Sequence, residues 1–528
     1  MTEATDTRGD ETRPAPRTLI GSLGAIGPGI MVIGSVMGSG ELINTPIQAA
    51  KFGFVLLWAV ILTSVIKYFL QIEIGRHTLA HNRTPLESFN SLPFPKFLGT
   101  SWIGILFVAT SLPTSLAFAG MLGMTAGLMH SLVPLSGEDQ VSVQIVEADG
   151  VARTETLIVG RTVRAVDGIV SGTGTAGGTI TVMSSDGAAL SSAVTVSDNG
   201  RWKVEGVDAD LDPNTKRSAQ IWVVVLAAVV IGILWRGIYE EMEKLITFLV
   251  IGFSVSVVVS VFLIQGTPYA ITADQVVSGV TFSLGEHRQL AGFAVISLMG
   301  ALGATANEMF MYPYWVLEKG YVKYTGTMDS EGWAERTRGW IRIMQIDVGV
   351  CTVLATVITA AYFLIGAAVL HGQSIVPEGR ETVDELSSIF TASYGAWSRN
   401  LFLFGAFCTL FSTMIVGVAA FGRMWGDLLM SMGFLPAGDT AKLKRCHHVI
   451  EGLYFVVLVP VAMLAARPEK IIILTGWFSG IVCTPLVIFG ITWLAFRTDK
   501  RVRMGKFSAI CLILSVAVIL GCLLASQF

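Results

Sequence analysis

The stretch GPGIMVIGSVMGSGELINT, residues 27–45, is an apolar run that is interrupted by the glycines Gly38 and Gly40 and then by the carboxylate of Glu41. Backbone that leaves helical geometry inside a bilayer has amides and carbonyls that water cannot reach, so it survives only where protein buries it or where it lines a cavity. An ionisable side chain at the same depth is costly and marks a candidate site. The stretch therefore predicts a broken membrane helix with a functional carboxylate at the break.

The composition is that of a polytopic membrane protein. Of the 528 residues, 52% are hydrophobic and 14% are charged. The mean hydropathy is +0.64, which is outside the range of soluble proteins. Residues 1–18 are polar, rich in Thr and Pro, and lack the apolar core of a signal peptide. We expect them to form a disordered cytoplasmic tail.

Eleven apolar runs follow, each long enough, at about 20 residues, to cross the hydrocarbon core. They lie at 19–47, 54–74, 101–132, 218–235, 245–264, 290–317, 343–370, 400–421, 449–466, 470–496 and 507–527. Basic residues gather after the second, sixth, eighth and tenth runs, as Arg76, Arg83 and Lys96 do after the second. By the positive-inside rule, the N-terminus is cytoplasmic and the C-terminus is extracytoplasmic. We expect an all-α, multi-pass protein of the plasma (inner) membrane with eleven transmembrane helices.

Residues 137–216, between the third and fourth runs, have a different character. Short β-type runs alternate with Asp-Gly and Asn-Gly turn signals at 186–187 and 199–200, a spacing typical of a small β-sandwich. The segment around Trp202 resembles the bacterial immunoglobulin-like modules of surface adhesins. We expect an extracytoplasmic insertion that acts either as a spacer or stabilising cap, or as a ligand-binding module. The resulting division of the chain is tail 1–18, membrane helices 1–3 at 19–136, insertion 137–216, and membrane helices 4–11 at 217–528.

The sixth run contains a second break. Its glycines Gly300 and Gly303 loosen the helix, and Thr305, Asn307 and Glu308 place polar groups at mid-span. If the chain consists of two five-helix repeats, the first and sixth runs hold corresponding positions. Gly-interrupted helices in corresponding positions of two halves point to the binding site of a transporter. We therefore expect both breaks to line one substrate site.

The predicted site offers hard oxygen ligands. Side-chain oxygens of Glu41, Asn307 and Glu308 would bind a metal ion. The substrate-binding set also includes Gly38 and Thr305, because the breaks expose backbone carbonyls and a hydroxyl there. Such donors suit Mg²⁺, Ca²⁺ or Mn²⁺ better than soft metals. Alternatively, each glutamate is neutral or forms a buried ion pair that only fixes helix packing.

Lys67 lies within the second run, in the segment VIKYFLQIEIGR. Its amine either extends to the cytoplasmic surface or pairs with Glu41 or Glu308 in the core. A core pair would offset one negative charge of the site, and the substrate and the lysine would then compete for the carboxylate.

Several of these segments resemble the Nramp family of divalent-metal transporters. GPGIMV, the broken first run, IQAAKFGFVLLW and the GAT of the sixth run match the pattern of that family in the same order. The resemblance covers essentially the whole membrane part. It implies a LeuT-type fold with eleven helices, which is a 5+5 inverted repeat with helices 1 and 6 broken.

The predicted site departs from the metal motifs of that family. The first-helix motif Asp-Pro-Gly-Asn reads Gly-Ser-Gly-Glu at 38–41, and the sixth-helix motif Met-Pro-His reads Asn-Glu-Met at 307–309. The metal-binding Asp, Asn and Met of the family thus correspond to Gly38, Glu41 and Asn307. The thioether that favours transition metals is therefore missing from the motif.

The proton route of the family is also unmatched. Its acidic residues in the third helix correspond to the uncharged segment ATSLPTSLAFAG, and its sixth-helix histidines correspond to Met309 and Tyr314. Proton coupling of the usual Nramp type is therefore not expected.

We predict a secondary transporter, such as a symporter, that carries a divalent cation by alternating access, with Mg²⁺ or Mn²⁺ favoured. One alternative is transport of another small ion or organic solute, with the carboxylates carrying protons. Another is a surface receptor or adhesion protein whose membrane part is an anchor. We do not expect an enzyme or an ATP-driven pump, because the sequence has no nucleotide loop or nucleophile elbow. The divalent cation is substrate and no cofactor is implied; the partners are this ion and the lipid bilayer, not nucleic acid.

Overall fold

The computed structural model describes most of the chain. The described residues are 12–18, 21–22, 25, 38–135, 140–146, 152–158, 163–166, 169–183, 188–197, 200–205, 213–236, 239–285, 287–302, 306–318, 320–378, 382–395, 397–436, 440–465 and 467–525.

Helices make up most of the described chain. In order they are α1 (Thr45–Phe52), α2 (Leu57–His81), α3 (Pro85–Asn90), α4 (Trp102–Leu132), α5 (Pro213–Arg236), α6 (Tyr239–Leu263), α7 (Ala273–Gly279), α8 (Arg288–Leu302), α9 (Ala306–Glu318), α10 (Tyr321–Thr325), α11 (Trp333–Ile365), α12 (Thr382–Tyr394), α13 (Ser398–Ser431), α14 (Thr440–Leu464), α15 (Pro468–Phe478), α16 (Thr484–Arg497) and α17 (Lys506–Ala525). Within the described part, six helical segments are long and apolar enough to cross a membrane. The expected helical membrane architecture is confirmed, and the count of eleven spans stays a prediction.

The structure describes only part of the two segments in which breaks are predicted. A π-helical turn at Gly40–Asn44 precedes α1. Further π-helical turns lie at Gly366–His371, after α11, and at Ser479–Cys483, between α15 and α16. In the sixth run, α8 ends at Leu302 and α9 begins at Ala306. Residues 303–305, which include the predicted break positions Gly303 and Thr305, lie outside the described residues.

Glycines set the closest helix crossing near the second break. A Cβ atom added to Gly300 of α8 would lie 1.9 Å from the carbonyl oxygen of Gly476 on α15. One added to Gly480 would lie 2.5 Å from the carbonyl oxygen of Ile296. Small residues allow membrane helices to approach until their backbones touch, so Gly300 is a packing residue of the helix that leads to the break.

Arg76 is part of a helix, although we predicted from the sequence that it lies in the loop after the second apolar run. Arg76 is buried within α2, where its Nε lies 3.0 Å from Oε2 of Glu73. The carboxylate of Glu73 also accepts from Ser508 Oγ at 2.7 Å, and Arg76 donates to the carbonyl of Val502 at 3.3 Å. A buried ion pair needs such additional hydrogen bonds to offset desolvation. The Glu73–Arg76 pair therefore joins α2 to α17 and to the segment before it, and Arg76 does not add to the charge of a loop.

The N-terminal segment also differs from the expected disordered tail, because residues 12–17 lie on the helices that follow the sixth run. The indole of Trp340 donates to the carbonyl of Arg13 at 3.0 Å, and the amide of Arg13 donates to the carbonyl of Tyr324 at 3.2 Å. The Arg13 guanidinium lies 3.7 Å from the centre of the Tyr324 ring, which is cation–π geometry. Residues 1–11 lie outside the described residues.

The insertion forms two small antiparallel sheets. Their strands, after the short hairpin β1 (Lys96–Phe97) and β2 (Thr100–Ser101), are β3 (Gln140–Val146), β4 (Ala152–Ile158), β5 (Val163–Val166), β6 (Ile169–Thr173), β7 (Thr179–Met183), β8 (Val194–Thr195) and β9 (Arg201–Glu205). One sheet has the order β4-β3-β7-β8 and the other the order β5-β6-β9. Val143, Val182 and Trp202 belong to one buried cluster that draws on both sheets. The predicted turn residues 186–187 and Asn199 lie outside the described residues.

We predict that Gly300→Ala destabilises the protein, since its Cβ would overlap the Gly476 carbonyl and overpacking costs about 1–3 kcal/mol. The matched control is Gly252→Ala in α6, where a Cβ meets nothing within 4 Å. Thermal unfolding in detergent should show a lower Tm for Gly300→Ala and an equal or higher Tm for Gly252→Ala. Equal melting of both variants would contradict the backbone contact.

Candidate functional site

The Glu41 carboxylate lies at the first break and is 4% exposed. Its Oε2 accepts the backbone N–H of Gly38 at 2.9 Å, while the amide of Leu42 donates to the Gly38 carbonyl at 3.0 Å. Glu41 therefore bonds back to the backbone three residues before it, at the first described residue of this segment. Glu41 thus has a structural role at the break that does not depend on any ligand.

The residues around the first break pack against two other helices. A Cβ atom added to Gly38 would lie 2.7 Å from Cγ2 of Thr413 on α13. One added to Gly40 would lie 2.8 Å from the carbonyl oxygen of Ala301, near the end of α8. The two predicted breaks are therefore in backbone contact, and Gly40 leaves no room for a side chain between them.

Lys67 contacts the second break. Its side chain is buried, with 8% exposed, and Nζ donates to the carbonyl of Leu302, the last residue of α8, at 3.3 Å. The lysine thus gives a hydrogen bond to the backbone at the end of the described part of α8. The amine therefore points into the protein rather than to the membrane surface. Its pairing with Glu41 or Glu308 stays a prediction.

The other predicted ligands follow this break. Asn307 and Glu308 lie in the first turn of α9, and their side chains are outside the described part of the structure. Among the described residues, no group of three or more His, Cys, Asp and Glu side chains is arranged to hold a metal ion. The predicted metal set of Glu41, Asn307 and Glu308 therefore remains a prediction.

A buried polar chain that sequence reasoning missed links the first break to α8 and α15. Asn44 donates through Nδ2 to the hydroxyl of Ser297 at 3.2 Å, and that hydroxyl donates to the carbonyl of Ile473 at 2.9 Å. Gln48 donates to Oδ1 of Asn44 at 2.9 Å. The signal in the sequence is the pair of amides at i and i+4 in an otherwise apolar segment. Their role is to hold the first break against the helix that carries the second.

Tyr362 on α11 is a further polar group near the first break. It is 1% exposed, and its hydroxyl has no hydrogen-bond partner among the described residues. The carboxylate of Glu41 acts on it electrostatically. A buried hydroxyl is normally hydrogen-bonded, so Tyr362 is a candidate to contact water or substrate beside Glu41.

Comparison with known proteins gives matches of family and of fold. The model of the Nramp family, described as natural resistance-associated macrophage protein-like, matches residues 211–527. An uncharacterised protein of Pasteurella multocida (strain Pm70) is 27% identical over 217 residues, which are 39% of this chain and 45% of that protein. The chain thus matches less than half the length of that curated relative.

Two solved structures are similar to this one over nearly the whole chain. The manganese transporter of Eremococcus coleocola, in complex with an aromatic bis-isothiourea substituted compound, has a TM-score of 0.62 at 13% identity and covers 99% of this chain and 90% of its own. MhsT in complex with L-phenylalanine has a TM-score of 0.54 at 13% identity and covers 97% and 100%. At such identity the likeness shows the fold alone, and it confirms the expected LeuT-type architecture.

We predict that Asn44→Ala and Ser297→Ala are coupled in stability, because each leaves the other's buried polar group without a partner. A double-mutant cycle on unfolding in detergent should give a coupling of about 0.5–3 kcal/mol. The control cycle pairs Asn44→Ala with Ser515→Ala on α17, whose hydroxyl donates to the carbonyl of Cys511 within its own helix. Additive effects in the first cycle would contradict the chain.

Proposed function

Because the chain belongs to the Nramp family, which is a family of transporters and not of enzymes, we propose that it is a secondary transporter of a divalent metal cation. The main support for this proposal is the close contact between the segments that contain the two predicted breaks. A buried carboxylate lies at the first predicted break and a buried amine lies beside the second, and Gly40 lies against the carbonyl of Ala301 between them. Burying ionisable side chains inside a membrane costs free energy, and a protein that serves only as an anchor has no need of them.

The cation would bind between the breaks, with Glu41, Asn307 and Glu308 as side-chain ligands and with Gly38 and Thr305 at the edges of the site. Oxygen donors without a thioether favour Mg²⁺ or Mn²⁺. Glu41 already accepts a hydrogen bond from the amide of Gly38, so a bound cation would share the carboxylate with that amide. A change in ligation would thereby act directly on the geometry of the first break.

Lys67 would act as the internal competitor of the cation. Its amine contacts the carbonyl of Leu302, so its positive charge lies where the second break begins. When the cation binds, repulsion between the two charges favours movement of the lysine away from the site. The opening of one helix group against the other would be the alternating-access step.

Contacts between loops support the proposed topology of eleven spans, with the N-terminus inside and the C-terminus outside. Arg201 of the insertion donates to Oε1 of Gln373 at 3.0 Å, and these residues follow the third and seventh runs. Arg338 donates to the carbonyl of Arg501 at 2.9 Å, and these follow the sixth and tenth runs. Loops after odd-numbered runs thus contact each other, as do loops after even-numbered runs.

The insertion would be an immunoglobulin-like β-sandwich that caps the extracytoplasmic side. The contact of Arg201 with Gln373 attaches it to the loop that follows α11. Its ends are also close together, because the amide of Leu135 donates to Ser218 Oγ at 2.9 Å. A stabilising cap is therefore favoured over a separate ligand-binding module.

We predict saturable uptake of Mn²⁺ and Mg²⁺ into proteoliposomes that contain the purified protein. Glu41→Gln should lower uptake by about tenfold or more, since a charge-assisted ligand bond is worth about 1.5–3 kcal/mol. Glu331→Gln, at an exposed position after α10, is the matched control and should leave uptake unchanged. No uptake of either ion by well-folded protein would reject metal transport and favour an organic solute.

A second experiment separates the transporter from a surface receptor with a membrane anchor. Residues 136–212 are replaced by a short Gly-Ser linker, which the proximity of Leu135 and Ser218 allows. We expect the shortened protein to retain metal uptake, with a lower Tm because the contact with Gln373 is lost. Complete loss of function with an intact membrane part would favour the receptor.

A further inference from the structure

A cavity with a volume of about 520 Å³ lies between α16 and α17. Its lining on α16 runs from Pro485 to Arg497, and its lining on α17 runs from Val516 to Leu520. We call it the α16–α17 groove. Its volume lies within the range of about 300–1,000 Å³ that small-molecule sites have. Neither of these two helices carries a proposed metal ligand, so the groove has no part in the function proposed above.

The α16–α17 groove follows one face of α16. Its lining residues there recur at steps of three or four, as Pro485, Phe489, Trp493 and Arg497 do, and residues with this spacing share one face of a helix. At about 1.5 Å per residue, the strip from 485 to 497 is about 18 Å long. One leaflet contributes about 15 Å of hydrocarbon. The groove therefore has the length of an acyl chain that lies along the helix within one leaflet.

The groove is apolar and open to the membrane. Phe489 and Leu520, one on each helix, are 46% and 49% exposed, while Ile488 and Ile519 are buried. Exposed apolar side chains on a membrane helix contact lipid tails, which are as apolar as Leu itself. A lipid chain can therefore enter the groove directly from the bilayer.

Positive charge lies at one end of the groove. Arg497, the last residue of α16, lines the groove and is exposed. Arg503 donates from Nη1 to the carbonyl of Phe496 at 3.1 Å, so it lies at the same end. Arg501 nearby is paired with Asp499 at 3.0 Å, whereas the described residues give no ion pair to Arg497 or Arg503. Two guanidinium groups are thus available to an anion at this end.

Two polar groups in the wall of the groove also call for a partner. Oγ1 of Thr492 and Nε1 of Trp493 are buried without a hydrogen-bond partner among the described residues. Trp493 lies one turn before Arg497, whose guanidinium carbon is 5.8 Å from the centre of the indole ring. Buried polar groups normally have a partner, and Trp is common at the depth where headgroups meet hydrocarbon. An ester carbonyl in the groove would supply an acceptor after a small rotation of either side chain.

The basic end of the groove follows the tenth apolar run, so it faces the cytoplasm in the proposed topology. The cytoplasmic leaflet contains the anionic phospholipids, and basic pockets between membrane helices on this side bind their headgroups. A zwitterionic lipid offers the same tails, but its headgroup also carries a cation that the two arginines repel. The charge at this end therefore favours an anionic lipid.

We propose that the α16–α17 groove binds one anionic phospholipid of the cytoplasmic leaflet. Its phosphate contacts Arg497 and Arg503, because the planar guanidinium group matches a phosphate with two parallel hydrogen bonds. Its ester groups lie beside Thr492 and Trp493, and one acyl chain occupies the groove toward Pro485. The site does not depend on the proposed transport function.

Native mass spectrometry of the delipidated protein in detergent tests the headgroup preference, with dioleoyl phosphatidylglycerol and dioleoyl phosphatidylcholine added separately. The wild type should retain one phosphatidylglycerol per chain and should bind phosphatidylcholine at least roughly fivefold more weakly. Arg497→Gln should bind phosphatidylglycerol about fivefold more weakly, because one basic residue near an anionic lipid contributes about this factor. The matched control is Arg236→Gln, at the exposed end of α5, which should bind like the wild type.

A second pair of variants tests the groove itself. Leu520→Trp would fill the groove with a larger side chain and should abolish the retention of phosphatidylglycerol. Leu524→Trp, one turn further along α17 at an exposed position outside the lining, should retain the lipid. The Tm of each variant without added lipid reports whether it is folded.

Three outcomes would overturn the proposal. The first is equal retention of the two lipids by the wild type, which is the behaviour of bulk lipid. The second is unchanged binding of phosphatidylglycerol by folded Leu520→Trp, because the lipid would then lie outside the groove. The third is a dimer of the wild type that Leu520→Trp disrupts, since the groove would then hold a second copy of the chain.

Discussion

The backbone groups at the two predicted helix breaks have to be satisfied within the protein, and the rest of the membrane part depends on how this is done. At the first break, the carboxylate of Glu41 accepts the amide of Gly38. At the second, the amine of Lys67 donates to the carbonyl of Leu302. In hydrocarbon each of these backbone groups would cost several kcal/mol without a partner. An acid and a base therefore lie at the breaks for structural reasons before any substrate is considered.

The same contacts explain why the surrounding helices approach so closely. Gly40 touches the carbonyl of Ala301, and Gly300 touches that of Gly476. The chain Asn44–Ser297–Ile473 adds directional hydrogen bonds to this packing. Steric contact sets the distance between the helices, while the hydrogen bonds fix their register. A binding site that is built on such a frame is held by backbone, so its side chains can differ from those of related proteins without loss of the fold.

Much of the helical architecture could be predicted from the sequence because a membrane span is a property of about 20 consecutive residues. The breaks stay predictions, which rest on residues such as Gly38 and Glu41 that interrupt an apolar run. The contacts of Arg13 with Tyr324 and Trp340, and of Arg76 with Glu73, could not be predicted. The contacts of Arg13 join segments that are far apart in the sequence. Arg76 is buried in an ion pair, but in the sequence it looks like one of the basic residues of a loop. The partner of Lys67 was also open, because the side chain is long enough to reach either the cytoplasmic surface or a carboxylate in the core, and its bond to the carbonyl of Leu302 was not expected.

Two hydrogen bonds join the chain that enters the insertion to the chain that leaves it. The amide of Leu135 donates to Ser218 Oγ, and the indole of Trp222 donates to the carbonyl of Val133. A domain whose two ends lie side by side can be replaced by another one, because the flanking helices α4 and α5 remain hydrogen-bonded to each other. Another rigid module could therefore be inserted at this position. It would add an asymmetric feature outside the membrane that helps to align single-particle images. The contact of Arg201 with Gln373 shows where such a module would have to touch the membrane part in order not to swing.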